Sequence, residues 1–221
     1  MQIGNNPLLT LQSPPKVQNT GNNRPINFSG IVPQDVFYMQ KAIAMTDWAA
    51  KNNRFPIAAI IIGPDGRELA SSTNTELEPN APLSGTPIAH AEISAIVQAC
   101  RRLKVRTLPP GTRMITTCEP CIMCLGALNY AGIKEFVYGN SIQDTNVFRQ
   151  FGFKDRDLYI DAAKPTFLRA VPGYQFMQTQ AFSVLQIWQR LLNARGVFSF
   201  DSPAGQAYLK SVIPSGKYSN G

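Results

Sequence analysis

The chain has 221 residues, 44% of them hydrophobic and 10% aromatic, which is enough apolar surface to bury a core and excludes disorder of the whole. A formal net charge of +7 suits an anionic partner such as nucleic acid or a phosphorylated ligand, but the basic residues are dispersed. No apolar stretch is long enough to span a bilayer, and the start MQIGNNPLLTLQSPPK lacks a charged segment followed by a long apolar one, so the expectation is a cytoplasmic protein with no membrane association.

Residues 1–33 carry five prolines and no acidic residue, the composition of an extended or mobile N-terminal arm. Pro33 marks the start of the folded region, expected over 34–195. From there Val36, Met39, Ala42, Ile43 and Ala50 fall near one face of a helix. The stretch FPIAAIIIGPDGRELASS reads as a buried apolar strand, a tight turn and a more polar return strand. Four prolines and glycines between Asn74 and Pro87 make that segment a loop.

The stretch AHAEISAIVQAC follows and holds His90, the only histidine of the chain. Ile93, Ile96, Val97 and Cys100 form an amphipathic stripe, and His90 lies three residues before it on the same face. The cluster Arg101, Arg102, Lys104 and Arg106 then falls at this helix's C-terminus, where cations complement the helix dipole; a phosphate or RNA contact is the alternative. TRMITTC reads as a strand, PCIMCLGALNYAG as a helix with Pro120 in its first position, and IKEFVYG as another strand. This alternation predicts a three-layer α/β sandwich whose later strands are parallel, because each crossover passes through a helix. FSVLQIWQRLLNARG is a last amphipathic helix ended by Gly196, and residues 196–221 read as a loosely ordered tail.

Cys118, Cys121 and Cys124 fall within seven residues, a crowding that fits metal binding better than a disulfide framework. The i, i+3 spacing of Cys121 and Cys124 puts both sulfurs on one face of a first helical turn, where the helix N-terminus favours thiolates. With His90 they make three ligands, the number that leaves the fourth tetrahedral position of a zinc ion open to water. Zinc lowers the pKa of that water from about 15.7 to near neutrality, and the resulting hydroxide can attack a carbon bearing an amine. Glu92, two residues beyond His90, is placed to carry the proton to a ring nitrogen and then to the leaving amine. Two other readings stand beside this one. Cys118 could join the three to close a purely structural site, making the chain a zinc-binding protein without turnover. A Ser–His–Asp or Cys–His hydrolase would use His90 but leave the two cysteines idle.

The H-x-E and P-C-x-x-C pattern is that of zinc nucleobase deaminases. Over residues 34–195 the chain resembles the cytidine deaminase-like superfamily, which implies a three-layer α/β/α sandwich around a mixed five-stranded sheet. TPIAHAEISAIVQACRRL and TTCEPCIMCLGALNYAGIKEFVYG look most like the bacterial guanine deaminases, whose motif reads CEPCPMCLGA. The resemblance implies one zinc per chain held by His90, Cys121 and Cys124, Glu92 as proton shuttle, and Asn74 and the Ala91 amide as contacts to the base. It also implies a homodimer in which a C-terminal segment completes the neighbour's site; the apolar surface around Trp188 is one docking candidate, and helix packing within one chain accounts for that surface equally well. Departures from the family are equally specific. Ala58 stands where a glycine is usual and could crowd the pocket wall, and the loop between Asn74 and His90 is long. Guanine deaminases place an acidic residue shortly before a GF pair to read the amino and ring N–H groups; QDTNVFRQFGF offers Asp144, displaced by a few positions, with Arg149 nearer the usual place. The expected reaction is hydrolytic deamination of a purine base or nucleoside, guanine to xanthine and ammonia first. A tRNA adenosine deaminase acting on RNA is the second choice, although those enzymes read LEPC where this chain has CEPC, and another nucleoside deaminase follows.

Overall fold

The apolar run Ala58–Ile62 forms strand β1, turns at Gly66, whose φ of 78° suits glycine, and returns as β2 (Glu68–Thr73) antiparallel to it. The computed structural model to which these strands belong describes residues 31–153 and 173–212. On its other edge β1 pairs antiparallel with β3 (Arg113–Cys118); β4 (Phe136–Asn140) and β5 (Gly173–Gln175) then add in parallel. The sheet order is β2-β1-β3-β4-β5. All five residues of β1 and all six of β3 are buried, because helices cover both faces of the sheet.

Helix α1 (Pro33–Lys51) has proline in its first turn, as the sequence predicts. It covers one face, where Tyr38, Met39 and Ala42 pack on Ala58, Ile60, Ile62, Ile115 and Val137. Beside it lies α5 (Gln178–Asn193), brought close to β4 at Gly139, where a Cβ would stand 2.6 Å from that of Ala181. The opposite face carries α2 (Ala91–Leu103) and α3 (Ile122–Tyr130) over Ala59, Ile61, Met114 and Phe136. The three layers and the mixed sheet match the fold expected from the sequence. A short helix α4 (Ile142–Thr145) and a 3-10 turn (Asn146–Phe151) follow β4.

Three expectations change, and for Trp188 one of two open readings is selected. Val36 is 38% exposed, whereas Asp35 beside it is buried against Arg113 (Oδ1 to Nη1 3.2 Å), so the inward face of α1 is rotated toward an ion pair that apolar periodicity cannot see. In α2 the deepest residues are Ala91, Ala95 and Ala99, with Ile93 and Cys100 at the rim, because small side chains let the helix approach the sheet. Residues 203–212 are helical (α6, Pro203–Val212), and Val197 and Phe200 are buried, so the folded region runs past 195. Trp188 is 2% exposed, enclosed by Phe55, Phe151, Phe153 and Phe200, so its surface packs within the chain rather than offering itself to a partner. Residues 1–30 of the expected arm and 213–221 of the expected tail lie outside the described residues.

Candidate active site

Two helix N-termini meet above the end of β3. His90 is the N-cap residue of α2 and Cys121 the N-cap residue of α3, with Cys124 one turn into that helix. Pro120 therefore precedes the cap and does not occupy the first helical position. The His90 imidazole makes no cap bond to its own helix, and the Cys121 thiol is turned to Cys124 and His90. His90 Nδ1 lies 3.6 Å from Cys121 Sγ and 3.5 Å from Cys124 Sγ. All three ligand atoms lie within 4.8 Å of one another. Zinc bonds of about 2.0 Å to nitrogen and 2.3 Å to sulfur put neighbouring corners of a tetrahedron about 3.5 Å apart, so the spacing of these residues suits zinc.

Cys118 is not part of this group. It is buried in the aromatic cluster with Phe148, Phe151 and Trp188 on the α1–α5 side, whereas Cys121 and Cys124 belong to the core under α2 and α3. The closed site of three cysteines and one histidine is not formed among the described residues. The neighbouring Glu119 ties the strand end down. Its amide donates to Asn140 O (2.7 Å) and its Oε2 accepts from the Ile142 amide (3.0 Å), fixing the approach to Cys121.

Glu92 is 3% exposed. Its Oε2 lies 3.6 Å from Cys124 Sγ and its Oε1 accepts from Thr116 Oγ1 at 3.3 Å. Burial pushes its carboxyl above the usual carboxylate range, against the pull of the His90 charge. Of the two thiols, Cys121 is held low, first by the hydrogen bond from Cys124 and then by His90; Cys124 is pushed up by that same bond and by burial. A buried carboxylate, an imidazole and an easily ionised thiol thus converge on one point.

Asn74 directly follows β2 and is 3% exposed. The Thr75 amide donates to Ala89 O (2.9 Å), and the Thr75 and Ser94 hydroxyls lie 3.0 Å apart, so the end of β2 is pinned to the start of α2 beside His90. Asn74 Oδ1 accepts from the Glu76 amide at 2.9 Å. Ala91 is the first residue of α2, where an N–H has no partner within the helix. Asp144 stands elsewhere in this network: its Oδ2 accepts from the Ser141 amide and hydroxyl and from Gln175 Nε2, closing the cap of α4. Ala58 faces α1, not the site. Sequence reasoning missed Glu76, a half-buried carboxyl raised by burial and lowered by the charge of His90. Nothing in its periodicity marks it, because it sits in an irregular loop. A groove of 740 Å³ between α1, β2 and the loop around Pro79 is lined by Phe37, Trp48, Arg54 and Glu78, and by none of the His90 group.

Residues 32–140 match the family described as the cytidine and deoxycytidylate deaminase zinc-binding region. The chain is 35% identical over 140 residues to the guanine deaminase of Bacillus subtilis, covering 63% of this chain and 83% of that enzyme. This chain belongs to the cytidine deaminase-like family. As a member of it, the chain is a hydrolytic deaminase with a zinc-binding domain. It is also 36% identical over 102 residues to the tRNA-specific adenosine deaminase of Agrobacterium fabrum, covering 46% of this chain and 62% of that one. Among solved structures, guanine deaminase from Nitrosomonas europaea superimposes with a TM-score of 0.57 at 20% identity, over 77% of this chain and 100% of that one, a likeness of fold. No helix among the described residues is long and apolar enough to cross a membrane.

Proposed function

We propose that the chain hydrolyses the exocyclic amine of a purine base, with guanine, converted to xanthine and ammonia, as the first substrate. The observation that carries this reading is the buried Glu92 carboxylate directed at the corner made by His90, Cys121 and Cys124. The longer match to guanine deaminase, over 140 residues against 102 for the tRNA enzyme, supports the choice of base. His90 Nδ1 and the sulfurs of Cys121 and Cys124 would hold one zinc per chain. Zinc bound there supplies a Lewis acid that makes water nucleophilic at neutral pH.

Glu92 would take one proton from the attacking water at its Oε2 and pass it to the ring nitrogen next to the reacting carbon, then carry the second, from the new hydroxyl, to the departing amine as the carbonyl forms. The Asn74 side chain and the Ala91 amide orient the base, the amide as a helix N-terminal donor that has no partner inside its own helix. Burial of Glu92 and Asn74 excludes bulk water and strengthens each polar contact. Asp144 keeps its Oδ1 outside the cap contacts and remains the proposed reader of the guanine amino group. Homodimerisation and a cytoplasmic location complete the proposal by family resemblance, the former checked by light scattering. The 36% identity to a tRNA-specific adenosine deaminase, with the net charge of +7, supports RNA as the alternative substrate.

Ammonia release by the zinc-loaded protein should be measured with guanine, adenine, cytosine, their nucleosides and an anticodon-loop RNA. Turnover of guanine above all others is expected; turnover of the RNA alone would replace the proposal with its alternative.

A further inference from the structure

Strand β3 carries two adjacent buried threonines that face opposite sides of the sheet. Thr117, on the α1 side, accepts from the Ala58 amide at 3.0 Å and from Thr46 Oγ1 at 3.2 Å, so it fastens α1, β1 and β3 together. Thr116, fully buried beneath α2, donates instead to Glu92 Oε1 at 3.3 Å. Its strand neighbours on that face are Met114 along β3, Ala59 directly opposite on β1 and Tyr138 directly opposite on β4, of which only the tyrosine carries a polar group. A hydroxyl there costs free energy to bury unless it is bonded, and valine has the same shape and a strand preference at least as high. The hydroxyl therefore calls for an explanation beyond packing.

We propose that Thr116 is a positioning residue for Glu92: by holding Oε1 from the fixed sheet it turns Oε2 toward the corner formed by His90, Cys121 and Cys124. This inference rests on the reading of Glu92 as proton carrier. The geometry divides the carboxylate into two halves, Oε1 toward Thr116 and Oε2 at 3.6 Å from Cys124 Sγ. A glutamate side chain turns about three bonds, and the Glu92 backbone at the start of α2 leaves the outer ones free. Thr116 sits on a strand paired on both sides, with β1 and β4, so its Oγ1 is a rigid anchor. Holding one oxygen fixes the direction of the other, and the proton path needs that direction more than it needs affinity for the base.

The test uses the zinc-loaded full chain, with guanine as the probe and ammonia release as the readout, on Thr116→Val, Thr116→Ser and Glu92→Gln. Crystal structures of the wild type and Thr116→Val accompany the kinetics. Thr116→Val should lower kcat about tenfold to a hundredfold with KM within about twofold, the mark of a misplaced group rather than of lost binding. Thr116→Ser, which keeps the hydroxyl, should recover kcat to within about threefold of the wild type. If Thr116→Val fails to fold, Thr116→Ser and Thr116→Ala carry the same comparison. In the crystal structure of Thr116→Val the Glu92 carboxylate should leave the orientation it holds in the wild type. Wild-type kcat in Thr116→Val while Glu92→Gln is inactive overturns the positioning role and leaves the function standing. Full activity in Glu92→Gln, or no ammonia from guanine with wild type, overturns the functional reading, and the carboxylate's orientation in Thr116→Val then decides the positioning claim alone.

Discussion

The two faces of the central sheet are built on different plans. Beneath α2 and α3 the side chains are small, with Ala91, Ala95 and Ala99 in one core with Ala59 and Met114, and the polar groups Glu92 and Thr116 are buried on the same side. Beneath α1 and α5 lies an aromatic cluster, with Phe55, Phe148, Phe151, Phe153 and Phe200 gathered around Trp188. Close approach on the first face lets a carboxylate, an imidazole and two thiols converge within a few ångströms. Bulk on the second holds the chain's distant segments together. Changes on the first face should therefore reach chemistry with little effect on stability, and changes on the second the reverse.

The largest expected effect is on the chemical face. Cys121→Ala should reduce zinc content, read by atomic emission, from one per chain to a small fraction, and turnover should disappear with it. On the aromatic face, Trp188→Ala should lower the unfolding free energy by about 3–5 kcal/mol in urea titrations, while kcat of the folded fraction stays unchanged. A loss of turnover without a loss of stability there would break the division. Thr117→Val, which removes the acceptor of the Ala58 amide, should cost about 1–3 kcal/mol of stability and leave kcat alone, the opposite of the adjacent Thr116→Val. The smallest effect is expected at Tyr130, 86% exposed at the end of α3, where Tyr130→Ser should change stability by less than about 0.5 kcal/mol.

The same division explains what the sequence makes legible. His90, Glu92, Cys121 and Cys124 can be placed from spacing alone because they sit at helix starts, where Pro120 and the amphipathic stripe of α2 mark the elements. The hairpin β1–β2 follows from an apolar run and a turn. The aromatic cluster does not follow, since Phe55, Phe148, Phe153, Trp188 and Phe200 come from separate segments with no shared period, and α6 hides behind a stretch of small and polar residues that reads as a tail. Asp35 looks like a solvent-facing helix residue until Arg113, 78 positions away, is brought against it. Thr116 and Glu76 have no motif of their own, and only the fold places one under Glu92 and the other within the field of His90.

The most direct test of the central claim is a paired measurement of zinc content and ammonia release from guanine for the wild type and Glu92→Gln. The account predicts about one zinc per chain in both proteins and a loss of turnover of about a hundredfold or more in the variant. A variant that holds its zinc and releases ammonia at the wild-type rate would contradict it.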